Sequence, residues 1–175
     1  MAVVTLQGTK RTLTRGPETR EFLKRHGIAF ERWEVPAAVA GLQSQAALAK
    51  EEQDRVLAAY RSNLDREAKE RGYIQADIIV LNPATPNLET MLAKFDKAHY
   101  HDDDEVRYIF AGEGVFGFEP AGAPTFTVTV TAGDYIIVPA KTYHWFTLTA
   151  SRSIKALRLF KDISGWAPHY KNAMG

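Results

Sequence analysis

The chain has 175 residues, 45% of them hydrophobic and 25% charged, which fits a single globular domain with a substantial core. Its 22 Lys and Arg against 21 Asp and Glu leave a formal net charge of +1, so electrostatics gives no case for nucleic acid or an anionic membrane as partner. There is no cysteine, which excludes disulfides, thiolate metal ligands and a cysteine nucleophile. The opening MAVVTLQGTKRT lacks a secretory leader pattern, and no run approaches the ~20 apolar residues of a membrane span. A soluble cytoplasmic protein is expected.

Pro17, with Glu18 and Glu21 behind it and Gly27 past the end, predicts a helix over about 17–26 that packs through Phe22 and Leu23. The alternation at 31–35 before Pro36 predicts a short strand. A long helix is expected over about 45–71, where Leu57, Tyr60, Leu64 and Ala68 recur at helical spacing and Gly72 ends the run. From Lys50 to Arg71 that helix carries six basic and six acidic residues. Glu51–Arg55, Asp65–Lys69 and Glu67–Arg71 stand four apart with the acid first, which reads as a solvated face. Beyond Gly72 the pattern becomes strand-like: 73–81, 91–95, 98–101, 106–110, 115–118, 126–130, 135–138, 144–148 and 154–160. Turn residues at 112–114, 120–124, 133–134 and 139–142 separate the later runs. The expectation is an α+β chain, mainly β: about 1–75 a helical attachment, about 76–165 an antiparallel barrel, all in one domain.

Chemistry concentrates between His99 and His144. His99 and His101 alternate as residues on one face of a strand do, and Glu105 follows closely. His144 arrives behind Gly133 and Pro139, on a different predicted strand. Three imidazoles and a carboxylate form a donor set suited to a divalent first-row metal, and at an octahedral ion they leave two positions open. The order resembles the two motifs of the cupin superfamily. The first, G-x5-H-x-H-x3,4-E-x6-G, matches from His99 through His101 and Glu105 to Gly112, with Ala93 in place of the leading glycine. The second, G-x5-P-x-G-x2-H-x3-N, matches at Gly133, Pro139 and His144, with Lys141 and Leu148 replacing the inner glycine and the asparagine.

A narrower resemblance runs along nearly the whole chain. The stretches LAKFDKAHYH ending at His101, DEVRYI from Asp104, GEGVF from Gly112, Gly133-Asp134, Pro139-Ala140, HWF from His144, RLF from Arg158 and Gly165-Trp166 are similar to the acireductone dioxygenases. IAFERW ending at Trp33 and Gly72-Tyr73 fit the bacterial members. The resemblance implies a cupin-type jelly roll with flanking helices. It also implies an enzyme of methionine salvage that oxidises 1,2-dihydroxy-3-keto-5-methylthiopentene with O2, using one Fe(II) or Ni(II) per chain. In that family Fe(II) yields formate and 4-methylthio-2-oxobutanoate, whereas Ni(II) yields formate, carbon monoxide and 3-methylthiopropanoate. A metal-dependent sugar-phosphate isomerase and a non-enzymatic metal- or ligand-binding cupin are the rival readings.

Arg107 shares the strand face of Glu105, and an inward guanidinium needs an anion, either a neighbouring carboxylate or a deprotonated substrate. The resemblance favours the substrate. Phe146 shares a face with His144 and Phe95 precedes His99, so both are expected to wall the cavity or pack in the core. Arg158, set inward among apolar residues, is read as a substrate contact or a partner of Glu105 or Asp104. Asp104 is the one residue of the acidic run 102–104 given a bracing or proton-transfer role. His26 and His169 are expected at the surface, and Trp166 as an anchor of the C-terminal segment. A monomer is expected, since no long apolar surface helix demands a partner.

Overall fold

The structure is a computed structural model that describes residues 1–171. Two antiparallel sheets enclose the interior. One runs β4 (Gln75–Leu81), β10 (Ile154–Phe160), β6 (Glu105–Phe118), β8 (Asp134–Val138) and β3 (Ala29–Arg32). The other runs β11 (His169–Tyr170), β5 (His99–Tyr100), β9 (His144–Leu148), β6, β7 (Phe126–Thr131), β1 (Val3–Leu6) and β2 (Thr12–Leu13). This is the jelly-roll barrel expected, with helices attached.

Strand β6 belongs to both sheets and determines where the interior lies. The expected pair of strands with a turn at 112–114 is instead one 14-residue strand. Its register against β10 skips Phe110, because Ala156 faces Ile109 while Lys155 faces Ala111. One extra residue reverses which face each later side chain takes. Gly112, at φ +71°, supplies the left-handed conformation of the kink. Before the bulge, Glu105, Arg107 and Ile109 face the barrel; after it, Phe116 and Phe118 do. Val106, Tyr108 and Phe110 point the other way, into a second core beneath the helices.

Those helices depart from the single long one expected. They are α2 (Ala37–Ala40), α3 (Lys50–Ala59) and α4 (Arg61–Arg71), after α1 (Gly16–Arg25). The break falls at Tyr60, which is buried and donates its hydroxyl to Tyr108 at 2.9 Å. Its backbone leaves the helical region at φ −99°, ψ 14°. Glu67, expected on a solvated face, is wholly buried. Tyr135 donates to it at 2.5 Å and Arg66 and Arg71 approach at 3.1 and 3.2 Å, so its charge is matched inside the second core.

The run 91–95 is also not a strand: it ends α5 (Leu88–Phe95). Leu88 and Leu92 are buried and Met91 packs on the same core, a spacing that only a helix turns to one side. Asn87, at φ 57°, turns the chain into it. The expected strand at 31–35 forms earlier, at Ala29–Arg32, where it pairs with β8. Strands β1 and β2 were not anticipated; they extend the second sheet beyond β7, so the N-terminal part is not purely helical.

Candidate metal centre

The register that closes the second sheet brings the histidines together. His99 on β5 is the direct cross-strand partner of His144 on β9. His101 lies two residues on, and Glu105 opens β6. All four are buried, and one ligand atom from each lies within 4.8 Å of the others. The rings of His99 stand 4.9 Å from those of His101 and 4.6 Å from those of His144, centroid to centroid.

Backbone carbonyls select the tautomers. His99 donates from Nδ1 to the Lys97 carbonyl at 2.6 Å, and His144 donates from Nδ1 to Thr142 at 2.8 Å. A carbonyl can only accept, so each Nε2 is left to act as a ligand, an arrangement common among metal-binding histidines. His101 and His144 direct Nε2 at the same oxygen, Glu105 Oε2, at 3.0 and 2.9 Å. A divalent cation satisfies these donors together, and the N3O set fits first-row metals. Burial lowers the affinity of His99 for a proton, outweighing the hydrogen bond to Lys97, and so favours the neutral imidazole that ligation needs. Burial alone would raise the Glu105 carboxyl, but Arg107 and the hydrogen bonds from His101 and His144 hold it well below the usual range.

A chamber of about 370 Å³ opens beside this cluster, lined by His99, His101, Glu105, Arg107, Arg158 and Trp166 among others. Arg107 donates from Nε to Glu105 Oε1 at 3.1 Å, and its Nη2 stands 3.1 Å from the same oxygen as an ion-pair contact. Its Nη1 is buried and has no hydrogen-bond partner among the described residues. Arg158 does not pair with Glu105 or Asp104. It forms a bidentate pair with Asp77 on β4, its cross-strand neighbour, with Nε 2.6 Å from Oδ1. Both guanidiniums lie over the indole of Trp166, at 4.9 and 5.7 Å from the ring centroid.

A model described as the ARD/ARD' family matches residues 14–168. The chain belongs to the acireductone dioxygenase family. Among its relatives, the acireductone dioxygenase of Leptospira interrogans is 41% identical over 97% of this chain and 96% of that protein. The Picosynechococcus protein of the same name is 41% identical, over 93% of this chain and 88% of its own length. The solved structure of acireductone dioxygenase from Bacillus anthracis with cadmium ion in its active center superposes with a TM-score of 0.92 at 33% identity, covering 97% of this chain and 98% of that one. Membership makes this chain an oxygenase that acts on a small molecule and O2, and it confirms the cupin fold.

Within that frame the remaining site residues take distinct places. Phe95 and Phe146 line the chamber, as expected. Asp104 does not: it accepts from the Tyr73 hydroxyl at 2.6 Å and from the Ala140 N–H at 2.9 Å, tying the strand of Glu105 to the loop before His144. Asp102 pairs with Lys141 and lies 2.9 Å from His169, and these partners, Lys141 first, bring its carboxyl down to about 2. Lys141 occupies the position where the cupin motif has glycine and adopts the left-handed backbone itself, at φ 63°. Its N–H donates to the His101 carbonyl at 2.9 Å. Trp166 is more than a C-terminal anchor, because it forms a wall of the chamber between the two arginines. Nothing in its local sequence signals that role, which depends on a single turn, Ile163–Trp166, folding back beside the 102–104 loop. His26 is half-buried against Phe22 and Phe126, whereas His169 is exposed. No helix among the described residues is long and apolar enough to cross a membrane.

Proposed function

We propose that this protein cleaves 1,2-dihydroxy-3-keto-5-methylthiopentene with O2 in methionine salvage, at a centre of Fe(II) or Ni(II) held by His99, His101, Glu105 and His144. The observation that carries the reading is the pairing of four converging ligand side chains with an arginine whose buried Nη1 has no hydrogen-bond partner among the described residues. A divalent metal held by His99, His101, Glu105 and His144 would act as a Lewis acid toward the enediolate and lower the cost of carrying the substrate as an anion.

The protein's own part is to bind, orient and exclude water. Arg107 turns Nε and Nη2 toward Glu105 and leaves Nη1 for the substrate oxyanion. That hydrogen bond is worth most inside a chamber with apolar walls, where water competes little. Arg158, fixed by Asp77, adds positive charge to the same side. Trp166 holds both guanidinium planes, and Phe95 and Phe146 cover the apolar end of the substrate. Asp104 braces the ligand loops through Tyr73 and Ala140 and takes no proton from the substrate. The electron-rich enediolate itself reduces O2, so no organic redox cofactor is required. With Fe(II) the products are formate and 4-methylthio-2-oxobutanoate. With Ni(II) they are formate, carbon monoxide and 3-methylthiopropanoate. The protein acts as a cytoplasmic monomer.

Oxygen uptake tests the reading. Protein loaded with Fe(II) or Ni(II) is expected to consume O2 with the acireductone far above the spontaneous rate, and His144→Ala is expected to lose both bound metal and uptake. Uptake by loaded protein no faster than in buffer sinks the proposal.

A further inference from the structure

Strands β4, β10 and β6 lie side by side, and their register arranges the cavity face in three rungs. The first is Asp77, Arg158 and Arg107; the second Ile79, Ala156 and Ile109; the third Leu81, Ile154 and Gly112. Successive rungs are two residues apart, roughly 6.6–6.8 Å along the strands. The face therefore changes from ionic to wholly apolar in a single step. Beyond the chamber, at the level of the second and third rungs, lies an apolar recess of about 20 Å³. It shares Ile79, Phe95, Arg107 and Phe146 with the chamber and ends at Leu81, Ile154 and Ala156. A space of this size holds about one methyl-sized group, and with apolar walls it stays dry.

Ala156 is the one small side chain on a rung otherwise built from isoleucine. A branched aliphatic side chain at this position would project into the recess that Ala156 lines. The ring of Phe146 packs directly against Gly114, where a Cβ would stand 2.6 Å from it. Phe146 and Ala156 both line the recess, and the small side chain that leaves it open lies on β10.

We propose that Ala156 determines how long an apolar tail the acireductone carries, by leaving the recess open for the terminal methylthio group. This rests on the acireductone reading above. Valine at 156 adds two methyls beside a space that holds about one, and a pocket contact of one or two methylenes discriminates by roughly 10–200-fold.

The test compares two substrates, 1,2-dihydroxy-3-keto-5-methylthiopentene and its short analogue 1,2-dihydroxy-3-ketobutene, with metal content and thermal unfolding recorded for each variant. In Ala156→Val the ratio of kcat/KM for the long over the short substrate is expected to fall by about 10–100-fold. Leu81→Ala, which deepens the far end, is expected to raise the ratio for a propylthio-tailed substrate over the methylthio one, and it tests the proposal even if Ala156→Val fails to fold. A ratio unchanged within threefold in either folded variant overturns the proposal while leaving the oxygenase reading intact. If the wild type consumes neither substrate, the oxygenase reading falls and this proposal with it.

Discussion

Replacing Arg107 with methionine separates its two partners, the ligand Glu105 and the substrate. The variant keeps an apolar stem beneath Trp166 but removes the 3.1 Å Nε hydrogen bond and the Nη2 ion-pair contact to Glu105 Oε1, together with the unpartnered Nη1. With metal bound, Glu105 still faces a cation, so about one metal per chain should remain at saturating Fe(II) or Ni(II). The substrate oxyanion instead loses its charged donor in a largely buried site, where breaking such a pair costs about 3–5 kcal/mol. At 1.36 kcal/mol per factor of ten, kcat/KM should fall between about 150-fold and 5,000-fold. Metal analysis of the purified variant and stopped-flow oxygen uptake read the two effects separately. A loss of kcat/KM below threefold would show that Arg107 serves Glu105 alone. Loss of the metal would show that its task is to hold the ligand rather than the substrate.

Other consequences follow from single residues. Asp77→Ala frees Arg158 from its bidentate partner, and KM should rise by about 3–10-fold at unchanged metal content, a modest effect because both side chains are partly exposed. Glu67→Ala leaves the buried Tyr135 hydroxyl without an acceptor and should lower unfolding free energy by about 2–4 kcal/mol in urea titration, with activity per folded molecule retained. Lys155 is buried, with the Gln43 carbonyl at 2.8 Å as its one hydrogen-bond partner among the described residues, and burial pushes its ammonium below the ordinary value of 10.5. Between the folded and unfolded values the unfolded chain binds the extra proton, so stability rises with pH through that alkaline window and the contribution is lost as pH falls through the folded value. The stability of Lys155→Met relative to wild type should therefore decline as pH climbs to about 10.5; a difference constant with pH would contradict the assignment.

The ligand set was legible because its information is local: His99 and His101 obey the period of a strand, and the Gly133–Pro139–His144 spacing fixes the return. The barrel strands from Phe126 to Phe160 were legible for the same reason. Position 91–95 was misread because Met91, Leu92 and Phe95 form a short apolar run, and the decisive helical partner, Leu88, lies behind a Pro-Asn turn. The division at Tyr60 and the burial of Glu67 depend on Tyr108 and Tyr135, which are tens of residues away, so charge spacing along the helix alone suggested solvent. Arg158 lines the chamber, but the alternation around it says nothing of which carboxylate it meets, Glu105 and Asp104 being only candidates beside a substrate contact. The register of β10 on β4 supplied Asp77 instead. Trp166 and β11 reach the site only through the return of the C-terminal segment onto β5.

The central claim is that one centre, formed by His99, His101, Glu105 and His144, carries the oxidation. Product analysis after metal exchange in a single preparation tests it most directly. Metal-free protein should be inactive, Fe(II) should restore formate and the keto acid, and Ni(II) should restore activity with carbon monoxide released. Full activity without metal, or in His99→Ala lacking bound metal, would contradict it.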